Sequence, residues 1–178
     1  MPVPEAIDES ALCTACGLCC AGSIFDFGKL TDDEAQDMAA RGVAMWPGDM
    51  PAIAFPCPML SGACCTIYAE RPGVCRRFRC EVLKHFEGGA LDGAAARALI
   101  ETARQLDDAA RQLLPVGQSV AEARRAWRED PEHWRNLAGA KRIEAARLAM
   151  ALTTLNLHLD RHFRRDKKRI TGMDTGPT

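Results

Sequence analysis

The sequence contains no uninterrupted apolar run long enough to cross a bilayer, so we expect no transmembrane helix. Its first residues, MPVPEAIDESAL, lack the basic and apolar regions of a secretory signal peptide. With a formal net charge of −1, the chain also lacks the positive charge that attracts proteins to nucleic acid or to anionic membranes. We therefore expect a cytoplasmic protein whose partner is neither a membrane nor a nucleic acid.

Cysteine is absent from residues 81–178, although the chain contains nine cysteines, all between Cys13 and Cys80. Thiols stay reduced in the cytoplasm, so this density indicates metal ligation rather than disulfides. The odd number would also leave one thiol unpaired in an all-disulfide scheme. The alternative is that the cysteines pack as buried free thiols, which their clustering disfavours.

The first cysteine group lies in CTACGLCC, residues 13–20, where we expect a tight loop. Cys13, Cys16 and Cys19 have the C-x2-C-x2-C spacing that begins the bacterial ferredoxin motif. Cys20 departs from that motif because it follows Cys19 directly. Adjacent side chains of extended backbone point in opposite directions, so we expect Cys19 and Cys20 to serve different centres, or two metals of one polynuclear site.

A second cysteine group lies within residues 57–80. Cys57 is followed directly by proline, as is a cysteine of the ferredoxin motif. The group supplies four thiols, enough for a second site, and they are Cys57, Cys65, Cys75 and Cys80. Four thiolates around a metal leave a net negative charge, which arginines in this segment would offset unless they form a solvated basic face. These arginines are Arg71, Arg76, Arg77 and Arg79.

The predicted fold class is mainly α. We expect an irregular, metal-stapled, cysteine-rich domain over residues 1–90, with a short strand or two, one of them within residues 23–30. A helical region of about three helices is expected to pack on it over residues 91–168. Residues 169–178 are expected to form a flexible tail.

Capping residues and periodicity predict the first two helices. Thr31 precedes three acidic residues and predicts a helix that ends near Gly42. In the second half, apolar residues recur at helical spacing until Pro115 stops the run. These residues are Leu99, Ala103, Leu106, Ala110 and Leu113.

The remaining helices are predicted in the same way. Ser119 and Glu122 have the spacing of a capping box. The pair Asp130-Pro131 predicts an N-cap followed by a proline at the first helical position. This helix, or a successor that begins after Gly139, is expected to run to about residue 165. His158 and His162 are four residues apart and could bind a metal, but we interpret them as surface residues of a basic helix end.

These motifs resemble the YkgJ-type cysteine-cluster family, a zinc- or iron-chelating domain. The resemblance rests on the C-x2-C-x2-C-C run that begins at Cys13, on Leu30-Thr31 before an acidic helix start, and on Cys57-Pro58-Met59-Leu60. It also rests on C-x-I-Y-x-x-R-P-x-x-C-R-x-F-x-C over residues 65–80. Together these motifs cover roughly residues 12–83.

The resemblance implies eight metal ligands, which are Cys13, Cys16, Cys19, Cys20, Cys57, Cys65, Cys75 and Cys80. Cys64 is an extra cysteine, which we interpret as a passive neighbour rather than a spare ligand or a reactive thiol. The family includes flagellin lysine N-methylases, which implies a protein N-methylase as one hypothesis, although no glycine-rich cofactor loop follows a strand. No catalytic residue is recognisable.

Three hypotheses for the function follow, and all use the same eight cysteines. The first is an iron–sulfur protein with one or more centres and a redox or electron-transfer role, which includes oxidoreductases. The second is a zinc-stabilised module that binds a protein, in which metal binding supplies folding free energy. The third is a methylase-like modifying enzyme. The expected partner is accordingly another protein or a redox partner.

Overall fold

The computed structural model describes residues 8–47 and 49–164, together with the backbone of residues 172–173. Helices dominate it, which confirms the mainly α prediction. The α-helices are α1 Glu9–Cys16, α2 Asp32–Ala40, α3 Gly73–Arg77, α4 Glu81–Glu87, α5 Gly93–Arg111, α6 Val120–Glu129, α7 Pro131–Arg135 and α8 Gly139–His162. The strands are β1 Phe27–Lys29, β2 Ala52–Ala54, β3 Leu60–Ser61, β4 Cys64–Cys65 and β5 Gly172–Met173. Among these described helices, none combines the length and the apolar character that a bilayer crossing requires.

The strands form two small sheets. In the first, β1 pairs antiparallel with β2, with Gly28 opposite Ile53, and parallel with β5. In the second, β3 and β4 form a hairpin in which Leu60 lies opposite Cys65. The strand expected within residues 23–30 is β1.

The end of the chain was expected to be helical to about residue 165 and then a tail. Helix α8 ends at His162. The tail predicted over residues 169–178 lies outside the described residues, apart from residues 172–173, whose backbone forms β5. The division into domains at residue 90 stays a prediction, and residues from both sides of it share one hydrophobic core.

The first two cysteines lie on a helix, so the loop expected over residues 13–20 is observed only over residues 17–20. Asp8 caps α1, because its carboxylate accepts a hydrogen bond from a backbone N–H of the first turn at 2.6 Å. Leu12 is buried in the core, and Gly17 ends the helix with a left-handed φ of +69°. The cap and the buried leucine stabilise this helix, so the first two cysteines lie about one turn apart on a regular element.

The capping residues predicted from the sequence are confirmed. Thr31 and Glu34 form a capping box at α2, and Ser119 and Glu122 form another at α6. Asp130 caps α7, which begins with a proline. Helix α8 begins separately, because the backbone before it is extended. The helical half, as far as the structure describes it, therefore has four helices where about three were expected.

The core of the helical half lies between α5 and α8. Helix α5 buries mainly small side chains, which are Ala96, Ile100, Ala103 and Ala110. Helix α8 buries larger ones, which are Leu148, Leu152, Leu155 and Leu159. The leucines of the predicted α5 stripe are half-buried at the rim of this contact, and they are Leu99, Leu106 and Leu113. The small residues of α5 thus leave room for the leucines of α8.

A buried polar network joins the loop after α1 to the helical half. Asp26 is fully buried and accepts hydrogen bonds from Arg124 at 2.5 Å and from Arg128 at 2.6 Å. Arg124 also donates to the carbonyl oxygens of Gly22 and Ser23, at 3.1 and 2.7 Å. The loop is therefore held by charged side chains of α6, and its conformation depends on the position of that helix.

Replacing Asp26 tests this network. Asp26→Asn leaves the buried Arg124 without a charge partner, so we expect the free energy of unfolding to fall by about 3–5 kcal/mol. Urea denaturation followed by circular dichroism measures it. The matched control is Asp37→Asn, which removes a carboxylate that is 55% exposed and paired with Arg41, and we expect little change there. Equal effects of the two substitutions would contradict the role of the network.

Candidate metal centre

Eight of the nine cysteines line one cavity of about 90 Å³. They are Cys13, Cys16, Cys19, Cys20, Cys57, Cys65, Cys75 and Cys80. Two lie on α1 and two in the loop after it; the others come from the segment after β2, from β4, from α3 and from the residue before α4. The structure thus brings both cysteine groups of the sequence to one place. That these eight thiols ligate metal stays a prediction.

The eight thiols form two sets of four neighbours. The sets follow from which thiols most raise one another's pKa, because charge interactions fall with distance. Among the neighbouring thiols, Cys16 and Cys80 raise the pKa of Cys19 most. The pKa of Cys20 is raised most by Cys75 and Cys57. The first set is Cys13, Cys16, Cys19 and Cys80. The second set is Cys20, Cys57, Cys65 and Cys75. Cys13 lies between the sets, since it is also coupled to Cys65.

Backbone contacts agree with this division. The N–H of Cys57 donates to the carbonyl oxygen of Cys20 at 2.8 Å. Helix α4, which follows Cys80, packs against α1. In the structure, Cys80 thus lies nearer to the first three cysteines, and Cys20 lies nearer to the downstream ones. Which thiols share a centre, and whether Cys19 and Cys20 serve different centres, stay predictions.

Burial raises the pKa of several thiols in the cavity. It raises the pKa of Cys16 and Cys75 to about 12 and that of Cys80 to about 11. Nearby thiols raise these pKa values further, because each thiolate would repel the next. The raised pKa disfavours the thiolate form of Cys16, Cys75 and Cys80, and a metal would both displace their protons and supply the compensating charge.

Arg71 provides positive charge at the cavity wall. Its guanidinium lies over the ring of Tyr68, with Cζ 3.6 Å from the ring centroid. Its charge partly offsets the effect of burial on the pKa of Cys13 and Cys75. Its Nε is buried and has no hydrogen-bond partner within the described residues. A half-buried cation with one buried, unused donor fits an anionic group in the cavity, such as a metal held by several thiolates.

The other arginines of this segment lie away from the cavity wall. Arg79 pairs with Glu9 and Glu87, at 2.9 and 3.1 Å, although its charge also lowers the pKa of Cys13 to a smaller extent than Arg71 does. Arg76 and Arg77 are exposed. Arg71, and to a smaller extent Arg79, is thus placed to offset charge on the thiols. Arg76 and Arg77 are exposed on the short helix α3, as the alternative of a solvated basic face predicts.

The remaining wall of the cavity is mainly apolar, and its large side chains include Leu12, Leu18, Ile24, Phe55 and Phe163. Phe78 lines it as well and packs edge to face against Phe25, with ring centroids 5.0 Å apart. The hydroxyl of Tyr68 is hydrogen-bonded to the hydroxyl of Ser10 at 2.8 Å. These side chains exclude water from the thiols, which lowers the local dielectric and strengthens charge interactions there.

The thiols surround a space instead of forming a preformed cage for a single ion. Within residues 8–47 and 49–164, no group of three or more His, Cys, Asp or Glu side chains is arranged to hold a metal ion as it stands. The donor chemistry and the unused donor of Arg71 fit a metal centre. The cavity of about 90 Å³ has the volume of about three water molecules, which is more than one ion needs.

The ninth cysteine and the histidine pair lie away from the cavity wall. Cys64 precedes Cys65 on β4, so its side chain points to the opposite side of the strand, where it is exposed. His158 has its Nε2 3.0 Å from the carbonyl oxygen of Leu99. His162 lies beside it, with the ring centroids 4.9 Å apart. That Cys64 is a passive neighbour stays a prediction, and its placement agrees with it.

One contact that positions the site has no local signal in the sequence. Glu34 of α2 accepts a hydrogen bond from the backbone N–H of Gly73 at 2.6 Å. Gly73 opens α3, the helix that carries Cys75. The two partners are 39 residues apart, so sequence spacing identified Glu34 only as part of the acidic start of α2.

Serine substitutions test the ligand set. Cys16→Ser and Cys75→Ser each remove a thiol from a different set of four, so we expect each to lower the bound metal, by up to half if the sets hold separate centres. The double variant should lose most of it. Cys64→Ser is the control and should retain the full amount. Elemental analysis of the purified proteins measures this, and an equal loss in Cys64→Ser would contradict the assignment.

Comparison with known proteins agrees with this geometry. Residues 12–95 match the family model named CxxCxxCC, with the description "Putative zinc- or iron-chelating domain". Neither the curated proteins nor the solved structures gave a match. The matched residues include the whole set of nine cysteines and therefore all the thiols of the cavity. Residues 12–95 therefore resemble a CxxCxxCC-type cysteine-cluster domain, and this match supports metal binding by this part of the chain.

Proposed function

We propose that this protein is an iron–sulfur protein with a redox or electron-transfer role. The observation that carries the proposal is that eight thiols line one mainly apolar cavity. Iron–sulfur clusters are held by cysteine thiolates, usually four to a cluster, and the thiols form two sets of four neighbours. The C-x2-C-x2-C spacing of the first three cysteines supports the same class of centre.

The residues of this chain have separate roles in such a centre. The eight thiolates would hold one or more clusters, and the apolar wall would limit the access of water to them. When bound, an iron–sulfur cluster accepts and releases electrons, at a potential that charge and hydrogen bonds around its sulfurs adjust. Arg71 lines the cavity with an unused donor, so its charge would favour the reduced, more negative state of the cluster.

A solvent-open pocket adjoins the cavity and supports an exchange of electrons with a partner. This polar pocket has a volume of about 280 Å³ and shares Cys16 and Cys57 with the cavity. On its far side lie charged residues of α5, namely Arg104, Asp107, Asp108 and Arg111. This pocket therefore gives a partner one route towards the thiols, and the exposed Cys13 gives another.

Zinc is the second candidate, because two sets of four cysteines also match two structural zinc sites with four thiolate ligands each. In that case the metal would stabilise the fold and the protein would act by binding another protein. A methylase-like activity has less support, since within the described residues no glycine-rich loop follows a strand.

Anaerobic purification distinguishes iron from zinc. We expect a brown protein with visible absorption that bleaches on reduction, and with iron and acid-labile sulfide in stoichiometric amounts. Absorption spectroscopy and elemental analysis measure these properties. A colourless protein with stoichiometric zinc and no sulfide would replace the first proposal with the second.

Replacing Arg71 tests its role beside the cluster. In Arg71→Gln, one positive charge is lost at the cavity wall, so adding an electron becomes less favourable and the reduction potential should fall. A redox titration followed by absorption measures the potential. Arg76→Gln is the matched control, because Arg76 is an exposed arginine of the same segment and its loss should change the potential less. Equal shifts in the two variants would contradict the assigned role.

A further inference from the structure

Helix α8 has a second apolar face that no described part of the chain covers. Its inner face is formed by the leucines that pack against α5. On the outer side, Ile143, Met150 and Leu157 are exposed to 65%, 71% and 66% of their surface. Scattered exposed apolar residues are ordinary on protein surfaces, but these three lie on one line of one helix.

Their spacing is that of a helix–helix contact. The three residues are seven positions apart, so they follow one seam along about 21 Å of the helix. Small exposed residues lie between them, namely Ala146, Thr153 and Thr154. The hydroxyl of Thr154 donates to the carbonyl oxygen of Met150 at 2.9 Å, so this hydroxyl is already bonded within the helix. Large side chains alternate with shallow gaps, as ridge-and-groove packing requires.

The charges beside this seam have one sign. Arg142, Arg147 and Arg161 are exposed and flank it, and none of the three forms an ion pair in the part of the chain that the structure describes. Of the acidic residues of α8, Asp160 is bonded to Arg164 at 2.7 Å, and Glu144 lies towards the side of the helix. The seam is thus bordered by positive charge that remains available to a partner, although the chain as a whole carries −1.

We propose that this seam of α8 binds an acidic amphipathic α-helix of a partner protein. The apolar residues of that helix would pack over Ile143, Met150 and Leu157, and its carboxylates would pair with the flanking arginines. The inference does not depend on which metal the cysteines hold. The proposal thus gives the protein partner expected from the sequence a binding site on α8 and an acidic, helical binding segment.

Two other occupants fit the seam less well. A second copy of this chain would place arginines against arginines, and like charges across an interface are unfavourable. An anionic membrane attracts basic helices, but such helices have a broad apolar face rich in Trp, Phe and Leu. Here three large apolar residues are separated by alanine and threonine, and no aromatic residue lies on the described seam.

The test uses the full-length, metal-loaded protein and a synthetic peptide. The peptide is helical, carries leucines at heptad spacing and has glutamates beside them; a scrambled peptide of the same composition is its control. Fluorescence anisotropy measures binding, which should weaken between about 50 mM and about 500 mM salt because the charges are screened.

Met150→Glu should weaken binding about tenfold or more, since it places a carboxylate in the seam among the acidic side chains of the peptide. The matched control is Val116→Glu, because Val116 is a fully exposed apolar residue outside α8, and it should bind as the unmodified protein does. Met150 is itself mostly exposed, so we expect both variants to keep their full metal content, which separates a failure here from a failure of the metal centre.

Four outcomes would overturn the proposal. They are no binding of the acidic peptide, equal binding of the scrambled peptide, equal effects of Met150→Glu and Val116→Glu, and no response to salt. Binding to vesicles of anionic lipid that is lost in Met150→Glu would assign the seam to a membrane instead. A dimer in light scattering that Met150→Glu dissociates would assign it to a second copy of the chain.

Discussion

Two arginines from the helical half hold the backbone that follows the adjacent cysteines. Arg124 of α6 and Arg164, just beyond α8, donate hydrogen bonds to the carbonyl oxygens of residues 22–24. The buried carboxylate of Asp26 neutralises Arg124. Arg124 and its Ser23 acceptor are 101 residues apart in sequence. The loop that carries Cys19 and Cys20 therefore depends on helices folded from the far half of the chain.

This dependence gives the helical half a structural role in the candidate metal centre. A buried arginine without its carboxylate is costly, so the loop and α6 stabilise each other only when both are in place. The end of α8 contributes in the same way, because Phe163 lines the cysteine cavity. The family match ends at residue 95, but side chains that support the site come from beyond it.

The cavity combines two conditions that oppose each other without metal. Its apolar wall and the burial of its thiols favour the neutral thiol form, and each ionised thiol would disfavour the ionisation of its neighbours. Metal ligation requires thiolates. A cation in the cavity removes the conflict, because it replaces several protons and compensates several thiolates at once. Metal binding and the final packing of the cavity are therefore coupled, whether the metal is iron or zinc.

The outer face of α8 exposes apolar residues to water, which costs free energy. These residues are not needed to form the hydrophobic core.

Sequence patterns were sufficient for the features that depend on residue type or on neighbours within one or two turns, whereas the packing of whole helices set which residues meet. The capping boxes at Thr31 and Ser119 are of the first kind, since their hydrogen bonds join residues three positions apart. The loop expected at residues 13–20 was wrong for residues 13–16, because Leu12 has a core contact that the cysteine pattern does not indicate. Packing placed Cys80 with the first cysteines and Cys20 with the later ones, and it left the seam of α8 facing outwards. These arrangements cannot be predicted from residue spacing, because they depend on contacts between elements far apart in the chain, such as α1 with α4 and α5 with α8.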